Sequence, residues 1–291
     1  MQRRDEHGPS PALWSGLIDD AAVFPPGNVP LADAVRLHRE HRSSSYAPLV
    51  GPLLVPASSC VDVLELARQV PAPLRVGLIS RPGADPQVLA MAAAGLAATS
   101  SVGVSIAELG WHPEWRTLGL DVAHLPIALE VPRGEAQHTA LADIRSARDG
   151  GARVGAKFRT GATPTWAWPE EAELADFLIE VVQRRLPFKL TGGLHHAVRG
   201  SYVPQGGTEA EENHGLLNVV LALAGALAEA NDTAVAGTLA DRDGERLASR
   251  VDALTPAQVS AVRDRFVAFG CCTVTDPIGE LASLGLIEAS A

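Results

Sequence analysis

Short apolar segments return along this chain at a nearly constant interval, and that repetition restricts its possible folds more than any other feature. They are centred near residues 17, 49, 76, 104, 128, 155, 188 and 272. The first seven lie roughly 25 to 35 residues apart, as strands separated by helices do. The stretches between them carry apolar residues at helical spacing: 31–42, 61–70, 86–96, 135–151 and 169–185. Continuous apolar strands alternating with amphipathic helices predict a parallel sheet covered by helices. Eight such units in 291 residues match a (β/α)8 barrel, the TIM barrel. A doubly wound open sheet is the competing arrangement, but no GxGxxG follows the first strand.

The expected organisation is one barrel domain over 13–291, with extra C-terminal helices, after a flexible polar tail at 1–12. The first strand falls within SGLIDDAAVF (15–24), and a proline-interrupted strand within 47–57. Late in the chain, a Gly-rich loop (200–207) precedes helices near 214–230, 233–249 and 256–268. FGCCTVTDP (269–277) is the eighth strand, and a helical turn closes the chain.

The formal charge is -10. Nucleic acid and anionic membrane surfaces are therefore not expected as partners, since both need clustered positive charge. A small-molecule substrate is expected instead, and a homo-oligomer is compatible with the composition. The N-terminus lacks an apolar run, so no signal peptide is expected. The most apolar helix, 215–230, contains Asn218 and is too short to span a bilayer. Cys60, Cys271 and Cys272 form no disulfide framework, and the odd count fits a reducing cytoplasm. Adjacent Cys271 and Cys272 read as small strand residues.

Lysine occurs at two positions only, Lys157 and Lys189, among 24 Lys plus Arg. A chain that otherwise uses arginine has kept lysine at two equivalent places, near the ends of the sixth and seventh strands. That pattern suggests chemistry that needs a primary amine. Side chains alternate along a barrel strand. Phe158, Phe188 and Leu190 suit the helix layer, so Lys157, Lys189, Arg159 and Thr191 point inward. Neighbouring ammonium groups and partial burial are both expected to lower a lysine pKa. A lysine near neutrality can attack a carbonyl and form a Schiff base.

AKFRTG (156–161) followed by FKLTGG (188–193) resembles the paired-lysine strands of class I aldolases of the deoxyribose-phosphate aldolase type. The resemblance is limited to the two lysine strands. It implies Lys157 as the imine-forming residue and Lys189 as the group that depresses its pKa. The chain departs from the pattern at Arg159, at Leu194-His195-His196, and in lacking an obvious Gly-Ser phosphate loop on strand eight.

Other residues fill out the candidate site. Glu108 and Glu130 are candidate proton shuttles, and His195 a candidate acid or base, since imidazole titrates near working pH. Arg159, Thr160, Thr191, Gly192, Gly193, Arg199 and Asp20 are candidate substrate contacts, the arginines through their bidentate fork. His7, His38, His41 and His138 read as solvated. Trp166 and Trp168 either lid the pocket or pack on the helices.

Three functions remain open. The first is a lyase acting on a small carbonyl or anionic metabolite through a lysine Schiff base, with no cofactor. The second is a metal-assisted hydrolase or isomerase, with a divalent ion on Asp19, Asp20, His195, His196 and His214. The third is a metabolite-binding barrel without chemistry.

Overall fold

Strand β1 is only three residues long, Ile18–Asp20, yet its backbone closes a ring. The computed structural model describes residues 11–69, 72–81, 84–120, 125–163, 166–204 and 208–288. The helices are α1 (Pro11–Trp14), α2 (Leu31–Arg42), α3 (Cys60–Arg68), α4 (Pro86–Ala97), α5 (Ala136–Asp149), α6 (Glu171–Gln183), α7 (Leu216–Leu227), α8 (Asp232–Leu239), α9 (Gly244–Asp252), α10 (Pro256–Arg265) and α11 (Thr275–Ser283). The remaining strands are β2 (Val50–Pro56), β3 (Leu74–Ile79), β4 (Val102–Gly110), β5 (Ile127–Glu130), β6 (Val154–Arg159), β7 (Phe188–Thr191), β8 (Gly200–Tyr202), β9 (Glu211–Asn213) and β10 (Phe266–Cys271). Eight strands form a closed barrel in the order β1-β10-β7-β6-β5-β4-β3-β2, with every neighbouring pair parallel. The chain is a (β/α)8 barrel with extra C-terminal helices. Strands β8 and β9 form a separate antiparallel hairpin after β7. No described helix is long and apolar enough to cross a membrane.

The alternation expected on β6 and β7 is present. Phe158, Phe188 and Leu190 are fully buried on the helix side. Phe158 stacks on Phe177 of α6 with ring centroids 4.6 Å apart, and Phe188 meets the edge of Phe177 at 5.4 Å. Phe188 also stacks on Phe266 of β10 at 5.2 Å. This aromatic row fixes β6, β7 and β10 against one helix, and so turns the alternate residues, including both lysines, into the barrel.

Several boundaries differ from expectation. The eighth strand starts at Phe266, inside the stretch expected to be helical to 268. Helix α10 stops because Arg263 donates to the carbonyls of Phe266 and Val267, while Phe266 joins the aromatic row. The helix expected over 233–249 is two. Asn218 donates to the carbonyls of Thr238 and Asp241, and Asp243 caps the second helix by accepting from Arg246 N. The expected closing turn is a nine-residue helix, α11. Most of the expected tail, 1–10, lies outside the described residues, but Pro11–Trp14 is helical and Leu13 and Trp14 are buried. His38 is not solvated: it is 2% exposed and faces Asp20.

Phe177 touches two strands at once. Phe177→Ala is expected to lower unfolding free energy by about 3–5 kcal/mol, measured by urea denaturation. A loss under about 1 kcal/mol would mean that this row does not hold β6 and β7.

Candidate functional site

The two lysines meet inside the barrel through a carboxylate. They are register partners on adjacent strands, and both are buried. Glu108, from β4 across the barrel, lies between them. Its Oε2 is 2.9 Å from Lys157 Nζ, and its Oε1 is hydrogen-bonded to Lys189 Nζ. Lys157 also reaches Glu130 Oε2 at 3.1 Å, and Lys189 also donates to Asp19 Oδ2. Glu130 in turn accepts from Arg159 Nε at 2.8 Å. The result is a chain of alternating charge, Asp19–Lys189–Glu108–Lys157–Glu130–Arg159, crossing from β1 to β6.

Strand geometry places each member. Asp19 is the register partner of Gly270, and its carboxylate lies over Gly51 of β2, where an added Cβ would stand 2.0 Å from Oδ1. Asp19 and Glu108 are almost fully buried, whereas Glu130 is 22% exposed and Arg159 30%. The chain of charges therefore runs from the closed interior towards the open C-terminal mouth, where active sites of this fold are built.

These contacts overturn one expectation. Lys189 does not depress the pKa of Lys157. Burial alone would lower both, but Glu108 and Glu130 raise Lys157, and Asp19 and Glu108 raise Lys189, above the ordinary lysine value. Carboxylates occupy the space between the amines, so each ammonium is neutralised rather than repelled. Burial works against ionised Glu108 as well, yet its two lysines outweigh it and hold the acid at about 2. Asp19 shows the opposite balance. Burial wins over its contact with Lys189 and raises it to about 6, and Oδ1 is buried with no hydrogen-bond partner among the described residues.

The other expected contacts divide. Thr191 and Arg159 are register partners one layer above the lysines. Gly192 and Gly193 bring the loops after β7 and β6 together, for a Cβ added at Gly161 would lie 1.4 Å from the Gly192 carbonyl oxygen. Thr160 is fully buried and donates to the Thr191 carbonyl, so it joins the two loops and faces no substrate. Arg199 is spent on Glu171, Glu212 and the carbonyls of Gly200 and Asn213, where it anchors the hairpin. Asp20 alternates with Asp19 and faces outward. It accepts from Ala22 N, and its Oδ2 lies 2.9 Å from His38 Nδ1.

The alternative metal set does not assemble. Asp19 is held by Lys189 and Asp20 by His38, His196 sits 2.6 Å from Glu280, and His214 binds the Pro169 carbonyl at 2.9 Å. Among the described residues no group of three or more His, Cys, Asp or Glu could hold a metal ion. His195 is joined to two thiols instead: its Nδ1 lies 3.6 Å from Cys271 Sγ and 3.7 Å from Cys272 Sγ. Burial lowers the His195 pKa, which makes it a neutral imidazole at pH 7. No hydrogen bond among the described residues links it to the lysine cluster. Trp166 is exposed and lies under Arg133, 5.2 Å from guanidinium to ring.

Compared with protein-family models and with curated proteins, the chain matches none.

Asp19 and Glu108 give opposite pH signatures. Glu108, depressed to about 2, adds stability above its unfolded value that is lost as pH falls through the folded one. Asp19, raised to about 6, adds stability that is complete below its unfolded value and lost as pH rises through about 6. Asp19→Asn is thus expected to abolish the decline in stability between about pH 4 and 6, followed by urea denaturation at several pH values. An unchanged pH slope would contradict the assignment. Glu108→Gln, which leaves two buried ammonium groups short of a partner, is expected to cost about 3–5 kcal/mol at pH 7. A near-neutral effect would contradict its place between the lysines.

Proposed function

We propose that the protein is a lyase that binds a small carbonyl compound as an imine on Lys157. One observation carries this reading: the Lys157 amine lies 2.9 Å from Glu108 and 3.1 Å from Glu130, the second of which reaches the mouth. Four almost fully buried charges in a barrel interior are costly to desolvate, and apolar residues of similar volume often serve stability as well or better. Retaining them favours a chemical role.

The raised lysine pKa constrains the mechanism. At pH 7.4 a lysine with an ordinary pKa is free amine in roughly one molecule per thousand, and Lys157 less so. The amine must therefore be released locally, by transfer of its proton to Glu130 or Glu108, both within hydrogen-bonding distance. The amine nitrogen then bonds to the carbonyl carbon, and the carbonyl oxygen leaves as water. Two of the three ammonium protons depart with that oxygen, and the nitrogen keeps one and its positive charge. The same carboxylates that pair with the ammonium thus pair with the iminium. Raising the lysine pKa slows release of the amine and favours the charged product. The iminium then accepts the electron pair of the breaking C–C bond to a hydroxyl-bearing carbon and becomes an enamine, while Glu130 takes the proton of that hydroxyl and the fragment leaves as a carbonyl compound. The enamine regains the proton, and water hydrolyses the iminium to free the amine. Lys189, itself bonded to Asp19, holds Glu108 in place.

Borohydride reduction in the presence of a panel of small aldehydes and ketones, read by peptide mass spectrometry, tests this. A stable adduct on Lys157 is expected, with none in Lys157→Arg. Binding without an adduct across the panel would indicate a metabolite-binding barrel and contradict the imine.

A further inference from the structure

Arg159 and Lys157 stand two residues apart on β6 and so share a face. Both approach one atom, Glu130 Oε2, the amine at 3.1 Å and Nη2 at 3.5 Å. The amine and the guanidinium therefore lie within about 7 Å of each other, by the reach of two such contacts. Glu130 occupies the Nε edge of the guanidinium at 2.8 Å. Nη1 donates to no group among the described residues. It lies instead against Gly192, a residue with φ of +72°, where an added Cβ would stand 2.5 Å from it. The Arg159 side chain is 30% exposed, the Lys157 side chain 5%. A molecule that reaches the amine from the mouth passes the open edge of Arg159.

Resting on the imine reading above, we propose that the substrate is a short oxo acid whose carboxylate is held by Arg159 Nη1 while its carbonyl carbon bonds to Lys157. Lengths decide this. A carboxylate on the carbon next to the imine puts its oxygens about 3 Å from the imine nitrogen, and a guanidinium N–H reaches about 3 Å further. Together these reach about 6 Å, within the upper bound of about 7 Å that the shared contacts to Glu130 Oε2 set between Nζ and Nη2. An anionic group several carbons from the carbonyl has no need of an arginine this close to the amine. A neutral carbonyl compound leaves Nη1 without an acceptor once the mouth is filled. Glu130 already neutralises part of the guanidinium, so the carboxylate binds through one edge of it only.

The test compares imine trapping by borohydride with pyruvate, butanone and dihydroxyacetone phosphate, in wild type, Arg159→Met and Arg159→Lys. In wild type, pyruvate is expected to be trapped on Lys157 at least about tenfold faster than butanone, and faster than the phosphate ester. That ratio is expected to fall to near one in Arg159→Met and only part of the way in Arg159→Lys, which keeps the charge. Thermal melting confirms that each variant is folded. Equal trapping of pyruvate and butanone in wild type, preference for the phosphate ester, or a ratio that survives Arg159→Met overturns the oxo acid while leaving the imine standing. If no compound is trapped, the imine reading itself fails. Calorimetric binding of pyruvate then decides the carboxylate site: binding lost in Arg159→Met upholds it, and no binding to wild type overturns it.

Discussion

A carboxylate held between two ammonium groups inside a ring of strands is the interaction on which the rest depends. Glu108 cannot be buried alone, because an isolated charge in a barrel interior is strongly disfavoured. Nor can either lysine. Each charge is tolerated because its neighbours on other strands are in place, so β1, β4, β5, β6 and β7 are tied to one another by the same network. A three-residue first strand is sufficient because its backbone pairs with β10 on one side and β2 on the other, with Ile18 buried.

The network also explains why its ends differ. At the closed end Asp19 is starved of partners, and burial outweighs the single lysine beside it. At the open end Glu130 sits between Lys157 and Arg159 with access to solvent. A proton delivered to Glu130 can be exchanged with water, whereas one on Glu108 has two ammonium groups against it. On the imine reading, this asymmetry singles out Lys157 rather than Lys189.

Much of the fold was legible because strand and helix periods alternate at a fixed spacing, and tertiary context rarely overrides such a repeat. The lysines were legible by scarcity, and their inward direction by the phenylalanines beside them. Partners divide Asp19 from Asp20 in the way strand alternation requires, although both are equally buried and look interchangeable in sequence: Asp19 meets Lys189 inside the barrel and Asp20 meets His38 of α2. The pKa direction was not legible. It depends on Glu108 arriving from a strand some fifty residues away in sequence, a through-space fact that two lysine motifs do not contain. Arg199 was misplaced for a similar reason: its acidic partners Glu171 and Glu212 come from a helix and a hairpin that meet only in the fold. The thiols around His195 had a weak signal in the adjacent Cys271 and Cys272, since a strand end beside β7 brings them to the loop that follows Gly193.

Because the chain has only two lysines, the charge state of the network can be read almost without interference. Protein labelled with 13C at lysine Cε gives two side-chain signals, each reporting the protonation of its own amine. Followed from pH 6 to 10, both are expected to keep the shift of an ammonium throughout, since each is held above the ordinary lysine value by its carboxylates. A signal that moves to the free-amine position below about pH 9 would mean that Glu108 does not sit between two charges, and the account built on it would be wrong.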